Sequence, residues 1–467
     1  MGAMAEPTLS FLGAAGTVTG SKFLLEFGDG AGQQRVLVDA GLFQGIRELR
    51  RRNWEPFPVP PDTLDAVLLT HAHLDHSGYL PALARDGLAG PVFATEGTAD
   101  LVELVLRDSA KLQEEDAAYA AAKGFSKHAA PKPLYDSSDV ERLLPLIRQV
   151  PFDTDVEVAR GVRATWRPAG HILGSSTVQV VVDGRRVLFS GDLGRPSHPL
   201  LRPPAPPPSS EVVVVESTYG DRGHEPNGEV ILTEAVRRTV ERGGTVLIPA
   251  FAVDRTEVVL MALRRLMAAG AIPRVPVFVD SPMALSALAI YQAALESHSA
   301  ELRDDLGDPA TVFDPGDLRR ARTAQESMDL NSPRMPCIVV SASGMATGGR
   351  VVHHLKSMLP DRRNTVLLVG YQAVGTRGRD LAEGATELKM HGKYVPVRAD
   401  VVTVPGFSVH ADADELMAWL RDIPEPPDIA YVIHGEADAS AVMVRRIHDE
   451  LGWLAVAPRD GERVRIS

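Results

Sequence analysis

The sequence predicts an α/β protein in which a strand-rich domain is interrupted by an inserted domain of alternating strands and helices. Three observations support this organisation. Short strand patterns dominate the first half of the chain, apolar strands alternate with helical segments after residue 244, and strand patterns of the first kind return after residue 399. Near-continuous apolar runs are typical of a parallel sheet covered on both faces. The predicted domains are residues 1–220 with 400–467, and residues 221–399 for the insertion.

The first half contains β-branched or apolar runs that are bounded by glycine, aspartate or proline, which is the pattern of short strands. These runs are 9–12, 22–27, 35–39, 64–70, 177–182, 186–190 and 211–216. Helical spacing of leucine and valine predicts a helix over 97–112. The polar, alanine-rich stretch 113–132 is interpreted as a surface helix followed by a loop.

Residues 202–208 contain five prolines, a density that predicts an extended connector rather than a helix or a central strand. The connector either links two domains or wraps around one. After it, strands are predicted at 245–248, 275–279, 337–340 and 365–369, and a helix at 255–269 with Gly270 as its left-handed cap. The returning strand patterns are 400–404 and 428–433.

The composition is that of a globular protein, with 467 residues of which 24% are charged. The net charge of −12 argues against a protein that coats nucleic acid through bulk electrostatics, but it leaves a nuclease open. The one cysteine, Cys337, cannot form an intrachain disulfide, which fits a reducing compartment. No apolar run reaches the roughly 18 residues of a membrane span. We therefore expect a soluble cytoplasmic protein without a membrane partner.

Four metal-ligand side chains lie within six residues, directly after an apolar strand pattern: His71, His73, Asp75 and His76. Alternation along an extended segment places the first two on one side, where they can bind one cation. The other two follow as the chain turns towards a helix and can address a second cation. Imidazole and carboxylate ligands suit zinc, with manganese or iron as alternatives. The competing interpretation is a polar loop with chance histidines.

Further ligands are expected at other strand ends, and His171, Asp192 and His434 each follow a predicted strand. Each of them is ambiguous alone, because Asp192, for example, is also a common turn former. Together they complete two coordination shells. Eight further histidines are interpreted as surface or packing residues: His128, His198, His224, His298, His353, His354, His391 and His448.

These motifs resemble the metal motifs of the metallo-β-lactamase superfamily. More narrowly, the chain is similar to the β-CASP nucleases, which include the pre-mRNA 3′-end endonuclease subunit and its bacterial and archaeal relatives. The narrower resemblance rests on four further segments: 216–220, which begins with Glu216, 341–350, which contains Ser343 and Gly344, 405–410, which ends at His410, and 434–436. It extends over nearly the whole chain.

The resemblance implies a metallo-β-lactamase αββα sandwich that is interrupted by an α/β β-CASP domain with a mainly parallel sheet. It implies two Zn²⁺ ions, with Mn²⁺ as the alternative. One ion would be bound by His71, His73 and His171, the other by Asp75, His76 and His434, and Asp192 would bridge them. Asp39 would orient a ligand histidine, although a plain surface aspartate is the competing interpretation.

The implied activity is hydrolysis of phosphodiester bonds in single-stranded RNA by a water that two zinc ions activate. Asp75 could orient this water as well as bind metal. We expect His410 to donate a proton to the leaving group, with Glu216 fixing its tautomer; a seventh ligand or a core histidine is the alternative. Ser343 and Gly344 are candidates for binding a substrate phosphate, against a plain glycine turn.

The sequence leaves several alternatives open. RNA rather than DNA rests on the resemblance alone, and endonuclease and 5′-exonuclease action are not distinguished. A small thioester, lactone or lactam hydrolase is one alternative, against which the insertion, Glu216 and His410 argue. A non-catalytic RNA-binding relative is another, against which the complete ligand set argues. A homodimer is compatible with the sequence but is not determined by it.

Overall fold

The computed structural model describes residues 6–28, 30–123 and 131–466. The chain forms two compact units, of which the first comprises Met1–Gly223 and His410–Ser467, and the second comprises His224–Val409. The sequence patterns set these boundaries at 220/221 and 399/400.

Most strands start or end within two residues of the sequence patterns. In chain order the strands are β1 Thr8–Phe11, β2 Phe23–Phe27, β3 Gln34–Val38, β4 Ala66–Leu68, β5 Val92–Thr95, β6 Ile147–Val150, β7 Asp155–Ala159, β8 Val162–Pro168, β9 Ser176–Val182, β10 Arg185–Phe189, β11 Val212–Glu216, β12 Val246–Pro249, β13 Val277–Val279, β14 Leu318–Arg320, β15 Ile338–Ser341, β16 Thr365–Leu368, β17 Glu387–Met390, β18 Lys393–Pro396, β19 Asp400–Thr403, β20 Ile429–Ile433, β21 Ala455–Val456 and β22 Arg463–Arg465. No sequence pattern was assigned to β5 to β8, β14, β17, β18, β21 or β22. The omission of β8 is notable because it buries Val162, Ala164 and Trp166 in strict alternation.

The helices cover the faces of the sheets. They are α1 Arg47–Arg52, α2 Leu74–Ser77, α3 Leu80–Arg85, α4 Glu96–Lys123, α5 Ser137–Leu143, α6 Gly228–Glu241, α7 Arg255–Ala268, α8 Pro282–Glu296, α9 Ala324–Asp329, α10 Arg350–Met358, α11 Arg377–Ala382, α12 Ala413–Arg421 and α13 Ala437–Arg446. As predicted, α7 is followed by Gly270 in the left-handed conformation, with a φ of +66°.

The first unit is built from two sheets whose inner faces form one hydrophobic core. One sheet has the strand order β22-β1-β2-β3-β4-β5-β6, and the other has the order β21-β20-β11-β10-β9-β8-β7. Apolar side chains from both sheets, such as Phe11 and Tyr431, pack together in this core. The predicted sandwich of two sheets is therefore confirmed.

Helices cover the outer faces of both sheets, which completes the αββα arrangement. On one side α4 packs against β5 and β6. On the other side Val213 and Val215 of β11 pack with residues of α12 and α13. Because Val212 and Val214 face the inner core, β11 is buried on both faces, which explains its uninterrupted run of valines.

The proline-rich segment lies within the first unit and does not link the two units. It connects β10 to β11, which are neighbours in one sheet. Ala205 holds it in place, since its N–H donates to the carbonyl of Pro168 at 2.8 Å and its carbonyl accepts from the indole N–H of Trp419 at 3.1 Å. Of the two interpretations of the connector, wrapping around one domain is therefore correct.

The helix that the sequence predicts over 97–112 continues without interruption to Lys123 in α4. Part of the predicted loop, residues 124–130, lies outside the described residues. None of the described helices, α4 included, combines the length and the apolar character that crossing a membrane requires.

The second unit contains a sheet of order β14-β13-β15-β12-β16-β19, in which every pairing is parallel, and a separate β17–β18 hairpin. The predicted parallel sheet of the insertion is confirmed. One strand was assigned wrongly, because β19 pairs with β16 in this sheet and does not belong to the first unit. A short β-branched run indicates a strand but does not identify its partner.

Candidate active site

The predicted ligands meet because the strands before them end at the same edges of the two sheets of the first unit. In the first sheet Asp39 follows β3 and His71 comes shortly after the parallel neighbour β4. In the second sheet Asp192 and His434 come shortly after β10 and β20, and Glu216 ends β11 between them. Carboxyl ends of parallel strands lie at one edge, so residues distant in sequence come together there.

One group of ligand atoms comes from His71, His73, His171 and Asp192, and these atoms all lie within 4.8 Å of one another. The Nδ1 atom of His73 is 3.2 Å from the Nε2 atoms of both His71 and His171. A zinc ion at about 2.0–2.1 Å from two nitrogens in tetrahedral geometry holds them about 3.3–3.4 Å apart. The nitrogen separations therefore fit a tetrahedral metal ion.

A second group comes from Asp75, His76 and His434. The Nε2 atoms of the two histidines are 3.2 Å apart, and Asp75 Oδ2 is 3.5 Å from His434 Nε2. The four ligand residues of the run 71–76 thus divide two and two between the groups, as alternation and the turn into α2 predict.

Asp192 faces both groups at once. Its Oδ2 atom is 3.5 Å from His71 Nε2 and 3.6 Å from His171 Nε2. Its Oδ1 atom is 3.3 Å from both His76 Nε2 and His434 Nδ1. One carboxylate therefore presents a separate oxygen to each group, which is the geometry of a ligand that bridges two metal ions.

The protonation states suit metal binding in the first group. Burial lowers the pKa of His71 and of His171 well below 6.5, so both imidazoles are neutral at pH 7 and have a lone pair available. Burial raises the pKa of Asp192, but the surrounding histidines lower it more, and the pKa lies well below its usual value. The group thus combines neutral imidazoles with an anionic carboxylate.

His76 lies between two buried carboxylates. Its Nδ1 atom is 2.7 Å from Asp39 Oδ2, while Asp192 faces its Nε2 atom. Burial lowers the pKa of His76, but Asp192 and Asp39 outweigh burial and raise it well above 6.5. The excess negative charge favours a cation at this point, either a proton or a metal ion, and the two compete.

Three hydroxyl residues outside the predicted ligand set contact the ligands, and one of them, Ser21, approaches the His76 nitrogen that faces the other ligands. Thr70 Oγ1 donates to Asp39 Oδ2 at 2.8 Å and lies 3.0 Å from His71 Nδ1. Thr218 Oγ1 is 3.1 Å from His434 Nδ1, and Ser21 Oγ is 3.3 Å from His76 Nε2. Thr70 directly precedes the ligand His71, and Thr218 lies within the segment 216–220. A search for hydroxyl residues in and beside these motifs could therefore have found both. Ser21 carries no such signal.

The ligand loops are closely packed and locally strained. Asp39 and His434 both have a left-handed backbone, with φ values of +57° and +49°, which is uncommon for residues other than glycine. Gly41 lies so close to the metal motif that an added Cβ would be 1.6 Å from the carbonyl oxygen of Asp75. A glycine at this position is needed for the turn after β3 to pack against α2.

His410 adjoins the ligand cluster but is more accessible than the buried imidazoles. Its side chain is 15% exposed, and its Nδ1 atom is 3.4 Å from Glu216 Oε1 and 3.8 Å from Asp192 Oδ2. Glu216 Oε1 also accepts from the backbone N–H of Leu193 at 2.6 Å, so the carboxylate is fixed in place. The distances are compatible both with a proton donor and with an additional ligand.

Three family models match the chain. The metallo-beta-lactamase superfamily matches residues 23–219, the Beta-Casp domain residues 256–381, and the Zn-dependent metallo-hydrolase RNA specificity domain residues 394–458. Ribonuclease TTHA0252 of Thermus thermophilus is 38% identical over 91% of this chain and 92% of its own length. The chain belongs to the β-CASP family of metallo-β-lactamase-fold hydrolases. The predicted family is confirmed.

Other relatives extend the comparison. Transcription termination factor FttA of Pyrococcus abyssi is 33% identical over 86% of this chain, and the chain spans 62% of that relative's length. A crystal structure of a protein of unknown function from Enterococcus faecalis V583 aligns with a TM-score of 0.52 at 14% identity, covering 99% of this chain and 100% of that one. This last similarity concerns the fold alone.

In the β-CASP unit the two remaining predicted site residues follow β15. Ser343 Oγ accepts from the backbone N–H of Thr347 at 3.1 Å and lies 3.0 Å from its hydroxyl. A Cβ at Gly344 would lie 2.6 Å from the ring of Phe251, so packing alone accounts for this glycine. Their role in phosphate binding stays a prediction.

Proposed function

We propose that this β-CASP protein is a metal-dependent ribonuclease that hydrolyses phosphodiester bonds of single-stranded RNA. Two zinc ions, with manganese as the alternative, would be held by the two ligand groups of the first unit. The observation that carries the proposal is the position of Asp192, whose two oxygens face separate groups of imidazoles. A cytoplasmic setting belongs to the proposal, because the single cysteine, Cys337, is a buried free thiol.

In this arrangement His71, His73 and His171 would hold one ion, Asp75, His76 and His434 the other, and Asp192 both. A pair of such ions lowers the pKa of water and neutralises charge on phosphate oxygens. The ligand separations and the neutral state of His71 and His171 support this assignment. Asp39 would keep His76 oriented through their 2.7 Å contact.

Two residues of the site are suited to handling substrate and protons as well as metal. The side chain of Asp75 is 22% exposed, so one carboxylate can both bind metal and orient the attacking water. His410, also partly exposed, would donate a proton to the leaving alkoxide. Glu216, fully buried behind it, would hold the imidazole in one tautomer.

RNA is favoured as the substrate by two comparisons. The relative that this chain covers to 92% of its length is named a ribonuclease, and residues 394–458 match a model described as an RNA specificity domain. A hydrolase of small thioesters or lactones has no use for such a segment. A non-catalytic relative would not be expected to keep every ligand in place. The relatives named transcription termination factors are compatible with an RNA target during transcription.

The proposal is tested by incubating the purified protein with single-stranded RNAs labelled at the 5′ or the 3′ end, with and without a chelator. We expect cleavage that EDTA abolishes and that added Zn²⁺ or Mn²⁺ restores. Internal fragments would indicate endonuclease action, and mononucleotides released from the 5′ end would indicate exonuclease action. A matched DNA strand shows whether the 2′-hydroxyl matters. If no RNA is cleaved with either metal, the proposal is wrong.

A further inference from the structure

Helix α1 of the first unit presents three arginines and a tryptophan on one side. Arg47, Arg50, Arg51 and Trp54 stand at relative positions 0, 3, 4 and 7, a spacing that places side chains on one face of a helix. Trp54 directly follows the helix cap, and its N–H donates to the carbonyl of Arg51 at 3.0 Å, so it continues the last turn. All four residues are exposed. We call them the α1 face.

The positive charges of the α1 face have no carboxylate partner within the part of the chain that the structure describes. Among the described residues, no carboxylate lies within salt-bridge distance of Arg47, Arg50 or Arg51, whereas the adjacent Arg52 pairs with Asp460. Glu48 and Glu55 are exposed nearby but do not pair with the three arginines. On a chain with a net charge of −12, an unpaired cluster of guanidinium groups indicates an anionic partner.

Trp54 differs from the other three tryptophans of the chain. Its exposed fraction is 61%, whereas Trp166, Trp419 and Trp453 are buried. An indole that stays in water does not contribute the free energy that burying its apolar ring would give. An exposed tryptophan beside cationic groups is therefore typical of a surface that binds a planar ligand. The combination of stacking ring and guanidinium groups is the one that single-stranded nucleic acids use.

The α1 face is tied to the metal cluster by the backbone before it. The segment between β3 and α1 leaves the same sheet edge as the metal motif, because β3 and β4 are parallel neighbours. Within this segment Ala40 N–H donates to the carbonyl of His76 at 2.7 Å, and Leu42 N–H donates to that of Leu74 at 2.8 Å. Asn53, at the end of α1, bonds both backbone groups of Phe43. The face is therefore held at a fixed position relative to the ligands.

We propose that the α1 face binds single-stranded RNA beside the metal cluster, with a base stacked on Trp54 and phosphates on Arg47, Arg50 and Arg51. The inference rests on the proposed function and adds the surface that holds the substrate. Stacking of a base on an aromatic ring is worth about 1–3 kcal/mol, or about 5- to 150-fold in affinity. Each phosphate contact on a single strand contributes about −0.7 to the slope of log K against log salt.

The first test uses the intrinsic fluorescence of zinc-loaded protein carrying His410→Ala, which we expect to keep its metal and to cleave RNA only slowly. This protein is titrated with an oligouridylate of about 12 nucleotides, within the site sizes known for single-strand binding surfaces. Because Trp54 is the exposed indole among four, we expect RNA to quench the emission. The quench should disappear in Trp54→Phe, which keeps an aromatic ring and so keeps most of the affinity. Trp54→Ala should weaken binding about tenfold. A quench that persists in Trp54→Phe would overturn the stacking role.

The second test measures binding of the same oligonucleotide, now carrying a fluorescent label, by anisotropy at several salt concentrations in the same His410→Ala background. The triple variant Arg47→Ala, Arg50→Ala, Arg51→Ala should bind at least about tenfold more weakly and lose about 2 units of salt slope. The matched control is Arg148→Ala, Arg160→Ala, Arg163→Ala, which removes three exposed arginines from the same unit. Arg160 lies before β8, at the opposite end of that strand from His171. Equal losses in both variants would mean bulk charge and would refute the proposal.

Three further readouts separate the possible failures. Hydrolysis of bis(p-nitrophenyl) phosphate reports on the metal site alone and should be unchanged in the α1 variants, so a lost proposed function is distinguished from a lost binding surface. Poly-L-glutamate should not displace RNA efficiently; if it binds as tightly as RNA, the face recognises acidic protein and the proposal is wrong. A change of oligomeric state in Trp54→Ala with unchanged RNA binding would identify a contact between copies and would equally overturn it.

Discussion

Each of the two units contains a buried histidine in contact with a buried aspartate, and the two pairs differ in what surrounds them. In the first unit His76 contacts Asp39 at 2.7 Å, and in the second His354 contacts Asp280 at 2.5 Å. Both aspartates directly follow a parallel strand, Asp39 after β3 and Asp280 after β13. By residue type, burial and position after a strand the two pairs are equivalent.

In the second unit every polar atom of the pair has a partner in the protein. Asp280 Oδ1 accepts from Arg350 at 2.6 Å, and Oδ2 accepts from Ser327 at 2.5 Å in addition to contacting His354. The other ring nitrogen of His354 is 3.1 Å from Asn331 Oδ1. Burial raises the pKa of Asp280, but these bonds lower it more, so the carboxylate stays ionised. The network is closed and leaves no position for a ligand.

In the first unit the outward atoms converge on one another. His76 Nε2 faces His434 Nε2 at 3.2 Å and Asp192 Oδ1 at 3.3 Å, so once His76 gives up its extra proton, two imidazole nitrogens and a carboxylate oxygen present acceptors to one point. Several acceptors directed at one point require a cation between them. A metal site is therefore distinguished from a structural network by the convergence of lone pairs, and not by the presence of buried histidine and aspartate.

The largest difference between the two regions is expected from neutralising one buried aspartate in each, with Asp192→Asn in the first unit and Asp280→Asn in the second. Asp192→Asn removes the charge shared by both ligand groups, so we expect loss of bound zinc and a decrease in RNA cleavage of more than about 100-fold, beyond the effect of a supporting residue. Asp280→Asn should keep both zinc and cleavage. Metal analysis and initial rates on the two purified variants measure this. Equal loss of zinc from both variants would show that the two aspartates do not differ in metal binding.

The second largest effect is expected from removing the imidazole of His410, which lies beside the metal ligands but is partly exposed. His410→Ala should lower turnover by about 10²–10⁴-fold, the usual contribution of general acid–base catalysis, and leave the zinc content unchanged. Metal analysis is the decisive measurement. If the variant loses zinc in proportion to its activity, His410 is a ligand and not the proton donor.

The closed network of the second unit should contribute to stability rather than chemistry. Removing one partner of a buried ion pair costs about 3–5 kcal/mol, so Asp280→Asn should lower the free energy of unfolding by about that amount. Denaturant unfolding followed by circular dichroism, at saturating zinc, measures the loss. Unchanged stability would show that Asp280 is not held in the network as described.

The smallest effect is expected at Asp39, which is not among the metal ligands and contacts the ligand His76 from behind. Asn tolerates the left-handed φ of +57° found here, so Asp39→Asn changes the charge and hydrogen bonding with little change in the backbone. Loss of a carboxylate behind a ligand histidine typically weakens metal affinity by about 10–100-fold. Competition with a chromophoric chelator measures this affinity. An unaltered affinity would show that Asp39 does not orient His76 for metal.

Much of the site could be predicted because its residues are consecutive or stand at strand ends. Four metal-ligand side chains within the six residues 71–76 are not explained by ordinary loop or core packing. His171, Asp192 and His434 follow strands that the apolar patterns identify. The supporting hydroxyl of Ser21 could not be predicted in this way, because a single serine occurs in every kind of loop and Ser21 lies in none of the motifs. Its role depends on which ring nitrogen lies within reach.

The fold shows the same limit. Parallel strands such as β12 and β15 are readable as continuous apolar runs, and their pattern located the inserted sheet. The sequence pattern of a strand does not indicate which strand it pairs with, and for this reason β19 was assigned to the wrong unit. Likewise, the sequence treats His354 as a packing residue without indicating that Asp280, 74 positions away, is its partner. Non-local pairing is a property of the folded chain.

The central claim is that the convergent ligands of the first unit bind two metal ions that drive RNA hydrolysis. The most direct measurement is metal content by mass spectrometry on the native protein, paired with RNA cleavage by the same sample during stepwise chelation and zinc replacement. We predict about two zinc ions per chain and activity that falls and returns with them, because Asp192 presents one oxygen to each group. RNA cleavage that continues after both ions are removed would contradict the claim.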